Sequence, residues 1–154
     1  LGLLLPAAEA QVVPVDEILV HFVDIRGKSY VHGRLSDECR QISEFNRIIT
    51  KESLFLFDEA LSSTDATEAS AIAAEILEAY GEIGAKGIFT THFHDLCDLE
   101  GKLPTVGNLT AKLDESSHRR QFRILPGSGG KSYAKDIAHA YGLTKEEILQ
   151  SRKN

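Results

Sequence analysis

The sequence predicts a layered α/β domain: a mostly parallel central sheet with an added antiparallel hairpin. Three observations carry this. Strand-like and helix-like stretches alternate along the chain. Two short apolar runs, Leu54 to Phe57 and Gly87 to Thr91, flank one long amphipathic stretch, and such a strand–helix–strand unit requires a right-handed crossover with parallel pairing. Farther on, two alternating segments surround a polar loop, as in a hairpin. With 154 residues, 42% apolar and 26% charged, the chain fits one domain with a packed core.

Each element has its own local reason. Asp16 to Phe22 (DEILVHF) reads as a strand rich in β-branched and aromatic residues, followed by a polar stretch from Arg26 to Arg34. Leu35, Cys39, Ile42, Phe45 and Ile49 recur at intervals of three and four, predicting an amphipathic helix over 36–50 with Ser36 as its N-cap. Leu54 to Phe57 is wholly apolar and ends in Asp58-Glu59, as suits a strand buried on both faces. The next helix begins at Asp65 with Glu68 completing a capping box; Ile72, Ala73, Ile76, Leu77 and Tyr80 form its stripe, and Gly81 and Gly84 end it. Gly87 to Thr91 is a second buried strand. Leu109-Ala111-Leu113 and Phe122-Ile124 make the hairpin around DESSHRR. A helix from Ser132 to Tyr141 stops at Gly142, and Thr144-x-x-Glu147 is a capping box that opens one more. This last part reads as the start of a truncated helical segment over 143–154, after a main domain over 1–142.

Composition narrows the functional classes. Seventeen Lys and Arg against twenty-three Asp and Glu leave a net charge of −6, which argues against a broad face gripping a phosphate backbone. No run of about 18 apolar residues is present, so no membrane span is expected. The opening LGLLLPAA lacks the basic flank of a secretory signal. Cys39 and Cys97 form no C-x-x-C pair, and a reducing, cytoplasmic setting is the default. The chain contains no Met and begins with Leu1, so it reads as a fragment.

The sharpest chemical signal is LFLFDE, Leu54 to Glu59. Two adjacent carboxylates at the carboxyl end of a buried strand face the crevice where open α/β sheets bind ligands. In a nucleotide hydrolase, Asp58 would hold the Mg2+ shell and Glu59 would orient the attacking water. The bland reading is that the acids merely solvate a turn. His92, at the tip of the neighbouring strand, is a candidate γ-phosphate sensor in the same crevice; taken alone it reads as a structural or exposed histidine, but together the three form a constellation.

Two decoys fail on spacing. GSGGKS, Gly127 to Ser132, looks like a phosphate loop, but G-x-x-x-x-G-K-[ST] needs a glycine where Leu125 stands. THFHDLCD places His92 and His94 on one side of an extended segment, as a metal-dependent hydrolase would need. A binuclear H-x-H-x-D-H site would continue with Asp and His, where this chain has Leu96 and Cys97.

The series LLLPAAEAQV, SLFLFDEALSSTDATEASAIAAEIL, GIFTTHFHDL, TVGNLTAKLDE and GSGGKSYAKDIAHAYGLTKEEIL resembles the carboxyl-terminal ATPase domain of the MutS DNA mismatch-repair family over nearly the whole chain. The resemblance implies a three-layer P-loop NTPase of the ABC type, lacking the Walker A loop upstream of Leu1. It makes Asp58 and Glu59 the Walker B pair, Ala60 to Asp65 the D-loop, including Ser63 and Thr64, and His92 the switch histidine. Ser132-Tyr133 match the start of a late helix of that domain. It further implies ATP and Mg2+ as ligands and a homodimer with composite ATP sites. Mismatched or branched DNA would be held by domains absent from this chain. The expected activity is ATP hydrolysis in the full-length protein, with the fragment alone inactive.

Two departures mark a divergent branch. Gly33-Arg34-Leu35 stands where the family has S-T-F, and Leu61-Ser62-Ser63-Thr64 where its D-loop has G-R-G-T. Arg34 is therefore a candidate charge acting across a dimer, or a solvated residue opening a helix. The rivals are a different ABC-type ATPase, for which GRLSDE is not the LSGG-type signature, a metal-dependent hydrolase using His92 and His94, and a degenerate interaction module.

Overall fold

The computed structural model describes residues 7–22, 33–113, 120–128 and 134–151. They divide into two compact units, Leu1–Gly107 and Asn108–Asn154. The fold is α/β: a parallel three-stranded sheet with helices in the first unit, and a separate antiparallel hairpin with two helices in the second.

In the first unit, β1 (Glu17–Phe22), β2 (Ser53–Asp58) and β3 (Lys86–Thr90) lie side by side in chain order, all parallel. α1 (Arg34–Phe45) connects β1 to β2, and α2 (Ala66–Ile83) connects β2 to β3. A 3-10 helix, His94–Gly101, follows β3. Parallel pairing fixes the register, with Leu19 opposite Phe55 opposite Gly87 and His21 opposite Phe57 opposite Phe89. Side chains alternate across a strand, so these residues share one face. That face carries the core: Leu19, Phe55 and Phe57 pack with Ile42 of α1, Ala69, Ala73 and Tyr80 of α2, and Phe93 and Leu96. Ala69 and Ala73 are wholly buried, and their small side chains let α2 approach the sheet.

Phe55 meets Tyr80 edge-on with ring centroids 5.1 Å apart and Phe57 at 5.5 Å, the geometry that the ring quadrupoles favour. Gly87 faces Phe55, and a Cβ there would fall 2.4 Å from its ring atoms, so this position admits no side chain without displacement. The opposite face of the sheet carries Ile18, Phe22 and Ile88, all exposed, with Leu54 and Leu56 half-buried between them.

The structure therefore corrects the expectation of strands buried on both faces. In β2 only Ser53, Phe55 and Phe57 are buried, and β3 is largely exposed. α1 also differs from its expected form. It starts at Arg34 rather than Ser36, because Gly33, at φ 91, turns the chain and its carbonyl accepts the Asp37 N–H at 3.2 Å. It ends at Phe45, after which residues 46–48 form a turn and the Ile49 N–H donates to the Phe45 carbonyl at 3.0 Å. The buried stripe passes through Glu38 and leaves Cys39 exposed.

α2 is capped by Asp65, whose carboxylate accepts from the N–H groups of Thr67 (2.9 Å) and Glu68 (3.3 Å). The Glu68 side chain takes the Thr64 hydroxyl at 3.4 Å instead of closing the capping box. The helix runs through Gly81 and stops at Gly84, where φ is 85. Ile72 lies at the exposed edge of its stripe.

In the second unit, β4 (Leu109–Leu113) and β5 (Arg120–Pro126) pair antiparallel, as the alternation predicts; the DESSHRR loop lies outside the described residues apart from Arg120. α3 (Ala134–Ala140) stops at Gly142, where φ is 69, while Ser132 and Tyr133 lie outside the described residues. α4 (Lys145–Ser151) opens with the predicted box: Thr144 N–H donates to Glu147 Oε2 at 3.2 Å, and Glu147 N–H donates to Thr144 Oγ1 at 3.4 Å. The Thr144 hydroxyl first, and His139 nearby, hold the Glu147 carboxyl below the usual glutamate range.

Candidate functional site

β2 and β3 are parallel and end together, which places Asp58 opposite Thr90 at the carboxyl edge of the sheet. The Thr90 hydroxyl donates to Asp58 Oδ1. One residue beyond the strand, Glu59 N–H donates to the Thr90 carbonyl at 3.0 Å and extends the ladder by a step. This holds Glu59 beside His92, and His92 Nδ1 lies 2.5 Å from Glu59 Oε2. An ionised carboxylate only accepts, so the ring donates from Nδ1 to it. Glu59 and His92 are thus in contact, and Asp58, bonded to Thr90, lies at the same carboxyl edge of the sheet.

The chain then turns sharply. Glu59 and Leu61 adopt φ values of 50 and 64, the left-handed region that non-glycine residues avoid at a cost of roughly 1–2 kcal/mol each. Local bonds support the turn: Ser62 N–H donates to the Glu59 carbonyl (3.3 Å) and Thr64 N–H to the Leu61 carbonyl (3.4 Å). Ala60 and Leu61 are fully buried, so apolar packing anchors it. Ser63 is exposed and Thr64 half-buried on the way to the Asp65 cap.

Gly33 and Arg34 open α1 next to this turn. Arg34 Nη2 donates to Ser62 Oγ at 3.3 Å, and Arg34 Nε donates to Glu38 Oε1 at 2.9 Å. Arg34 is thus engaged within its own chain rather than merely solvated. Glu38 and Thr90 are contributions that the motifs did not flag. An acid interrupting an apolar stripe was the available signal for Glu38; Thr90 had none beyond its place before His92.

His94 is exposed at the start of the 3-10 helix, and among the described residues no three His, Cys, Asp or Glu side chains form a metal-holding group. The alternative of a metal-dependent hydrolase using His92 and His94 gains no support, since His92 turns to Glu59. Among the described residues, no helix is long and apolar enough to cross a membrane.

The parallel three-stranded sheet, the separate antiparallel hairpin and the connecting helices form an α/β fold consistent with a P-loop-like ABC ATPase fragment. A family model described as MutS domain V matches residues 1–154, and the chain belongs to that family. It is 32% identical over 163 residues to the DNA mismatch repair protein MutS of Haloquadratum walsbyi, covering 99% of this chain and 17% of that protein. It is 34% identical over 155 residues to Endonuclease MutS2 of Clostridium acetobutylicum, covering 99% of this chain and 19% of the relative. The Clostridium tetani Endonuclease MutS2 is 35% identical over 156 residues, with 99% and 20% covered. The chain therefore spans about a fifth of the length of these curated relatives.

Proposed function

We propose that this chain supplies the hydrolytic edge of an ATP-hydrolysing MutS-type domain, in a larger cytoplasmic protein whose other domains engage mismatched or branched DNA. The observation that carries the reading is the Glu59–His92 contact of 2.5 Å across two adjacent parallel strands, with Asp58 beside it at the same sheet edge. Glu59 is the group that orients and deprotonates the attacking water. His92 donates to Glu59 and so fixes the direction of its carboxylate; when a triphosphate enters, the same ring is placed to meet the γ-phosphate.

Asp58 and the Thr90 hydroxyl offer hard oxygen donors, which suit Mg2+ held by one carboxylate together with substrate phosphates. Bound there, Mg2+ would neutralise charge on the β- and γ-phosphates. Gly33 and Arg34 at the start of α1, with Ser63 and Thr64 of the turn that follows the acid pair, form the face offered to a second copy in a homodimer with shared ATP sites.

The test is Glu59→Gln in the complete protein. ATP binding is expected to persist while steady-state hydrolysis falls on the order of a hundredfold or more, the scale of a lost general base. Undiminished phosphate release refutes the assigned role.

A further inference from the structure

We infer that Glu38 is a positioning residue for the hydrolysis reaction: its buried carboxylate locks the turn after the acid pair and ties the amino end of α1 to that turn through Arg34. The inference rests on the proposed ATP hydrolysis, and adds to it a residue that acts only through the backbone of its neighbours.

Glu38 is 6% exposed, and a charge so far out of water persists only where its oxygens are matched by donors. Both are matched. Oε2 accepts the Leu61 N–H at 2.9 Å, and Oε1 accepts Arg34 Nε at 2.9 Å. The first bond falls on a residue whose left-handed backbone needs outside support, since Leu61 has no glycine's freedom at φ 64. The turn is pinned at two points: the Thr90 carbonyl holds the Glu59 amide, and the Glu38 carboxylate holds the Leu61 amide.

Between those two pins the chain has little choice of direction for the Glu59 side chain. Release the second pin, and Leu61 can relax toward ordinary φ, rotating the peptide planes that lead back to Glu59. Arg34 loses its anchor at the same moment and with it the hold on Ser62. Because Glu38 contacts the turn and not the strand ends, its loss acts on the reacting geometry more than on nucleotide affinity.

The experiment compares wild type, Glu38→Ala and Glu38→Gln in the complete protein, by steady-state ATP hydrolysis and by hydrogen exchange of a peptide covering 59–64. Glu38→Ala is expected to lower kcat on the order of tenfold while KM stays within about threefold, and to speed exchange at the Leu61 amide on the order of tenfold. Glu38→Gln keeps an oxygen for that amide, so protection stays and most of kcat is rescued. Where the alanine variant does not fold, Glu38→Asp replaces it. That carboxylate is one methylene too short to hold Leu61 and Arg34 together, and the same kcat loss is expected.

Wild-type kcat in Glu38→Ala or Glu38→Asp overturns the inference, as does a kcat loss with Leu61 protection unchanged. Glu59→Gln separates the two levels. Undiminished hydrolysis in that variant removes the proposed function and the inference with it. Loss there, beside wild-type rates in the Glu38 variants, removes the inference alone.

Discussion

Gly87→Ala probes how the sheet sets the distance between the acid pair and His92. A Cβ at this position would sit 2.4 Å from three atoms of the Phe55 ring, far inside van der Waals contact. The ring has little room to retreat, because it is buried and packed edge-on against Tyr80 at 5.1 Å and Phe57 at 5.5 Å. Overpacking of this kind costs about 1–3 kcal/mol. Loss of glycine's freedom in the unfolded chain returns roughly 0.4–1 kcal/mol. The net expectation is a destabilisation of about 1–2 kcal/mol, read as a lower urea midpoint by far-UV circular dichroism. The strain falls between β2 and β3, so His92 should be pushed away from Glu59, and hydrolysis should drop even where the variant is fully folded. Phe55→Leu gives the new methyl space, and the double variant should be more stable than the two single losses add up to. Strictly additive losses, or a Gly87→Ala midpoint equal to wild type, refute the steric argument.

Asp58→Asn in the complete protein should weaken ATP binding at least about tenfold when Mg2+ is present and leave binding without Mg2+ little changed. Equal affinity for MgATP, measured by titration calorimetry, counts against the assignment. Burial lifts the Tyr80 phenol from 10.0 to about 12. The unfolded chain therefore gives up this proton first, and stability is full below pH 10 and falls as pH rises toward 12. The loss is roughly 1 kcal/mol by pH 11, and Tyr80→Phe should abolish that part of the slope in urea melts. An identical slope in the phenylalanine variant would assign the loss elsewhere.

Much of the sheet was legible because periodicity and chain order suffice for parallel neighbours. Leu54 to Phe57 and Gly87 to Phe89 pair as their order along the chain implies, and that pairing sets Asp58 opposite Thr90 at the edge beyond which Glu59 and His92 meet. The errors arose where a local rule was outweighed by a contact distant in sequence. Cys39 falls on the apolar stripe by its spacing, yet Glu38 is the buried one, since the Leu61 amide 23 residues away supplies a donor. Ser36 has the chemistry of a cap, but Gly33 supplies the turn and Arg34 pairs with Glu38 within the first helical turn. Burial of β2 on both faces was inferred from its composition, and composition cannot tell which of two apolar faces has a helix lying on it.

The uncovered side of that sheet governs how the molecule behaves when concentrated. Ile18 and Phe22 stand on β1 and Ile88 on β3, with Leu54 and Leu56 of β2 between them, so apolar side chains run across all three strands on this side. Among the described residues no helix lies on this side, so an apolar surface of this kind favours association at high concentration.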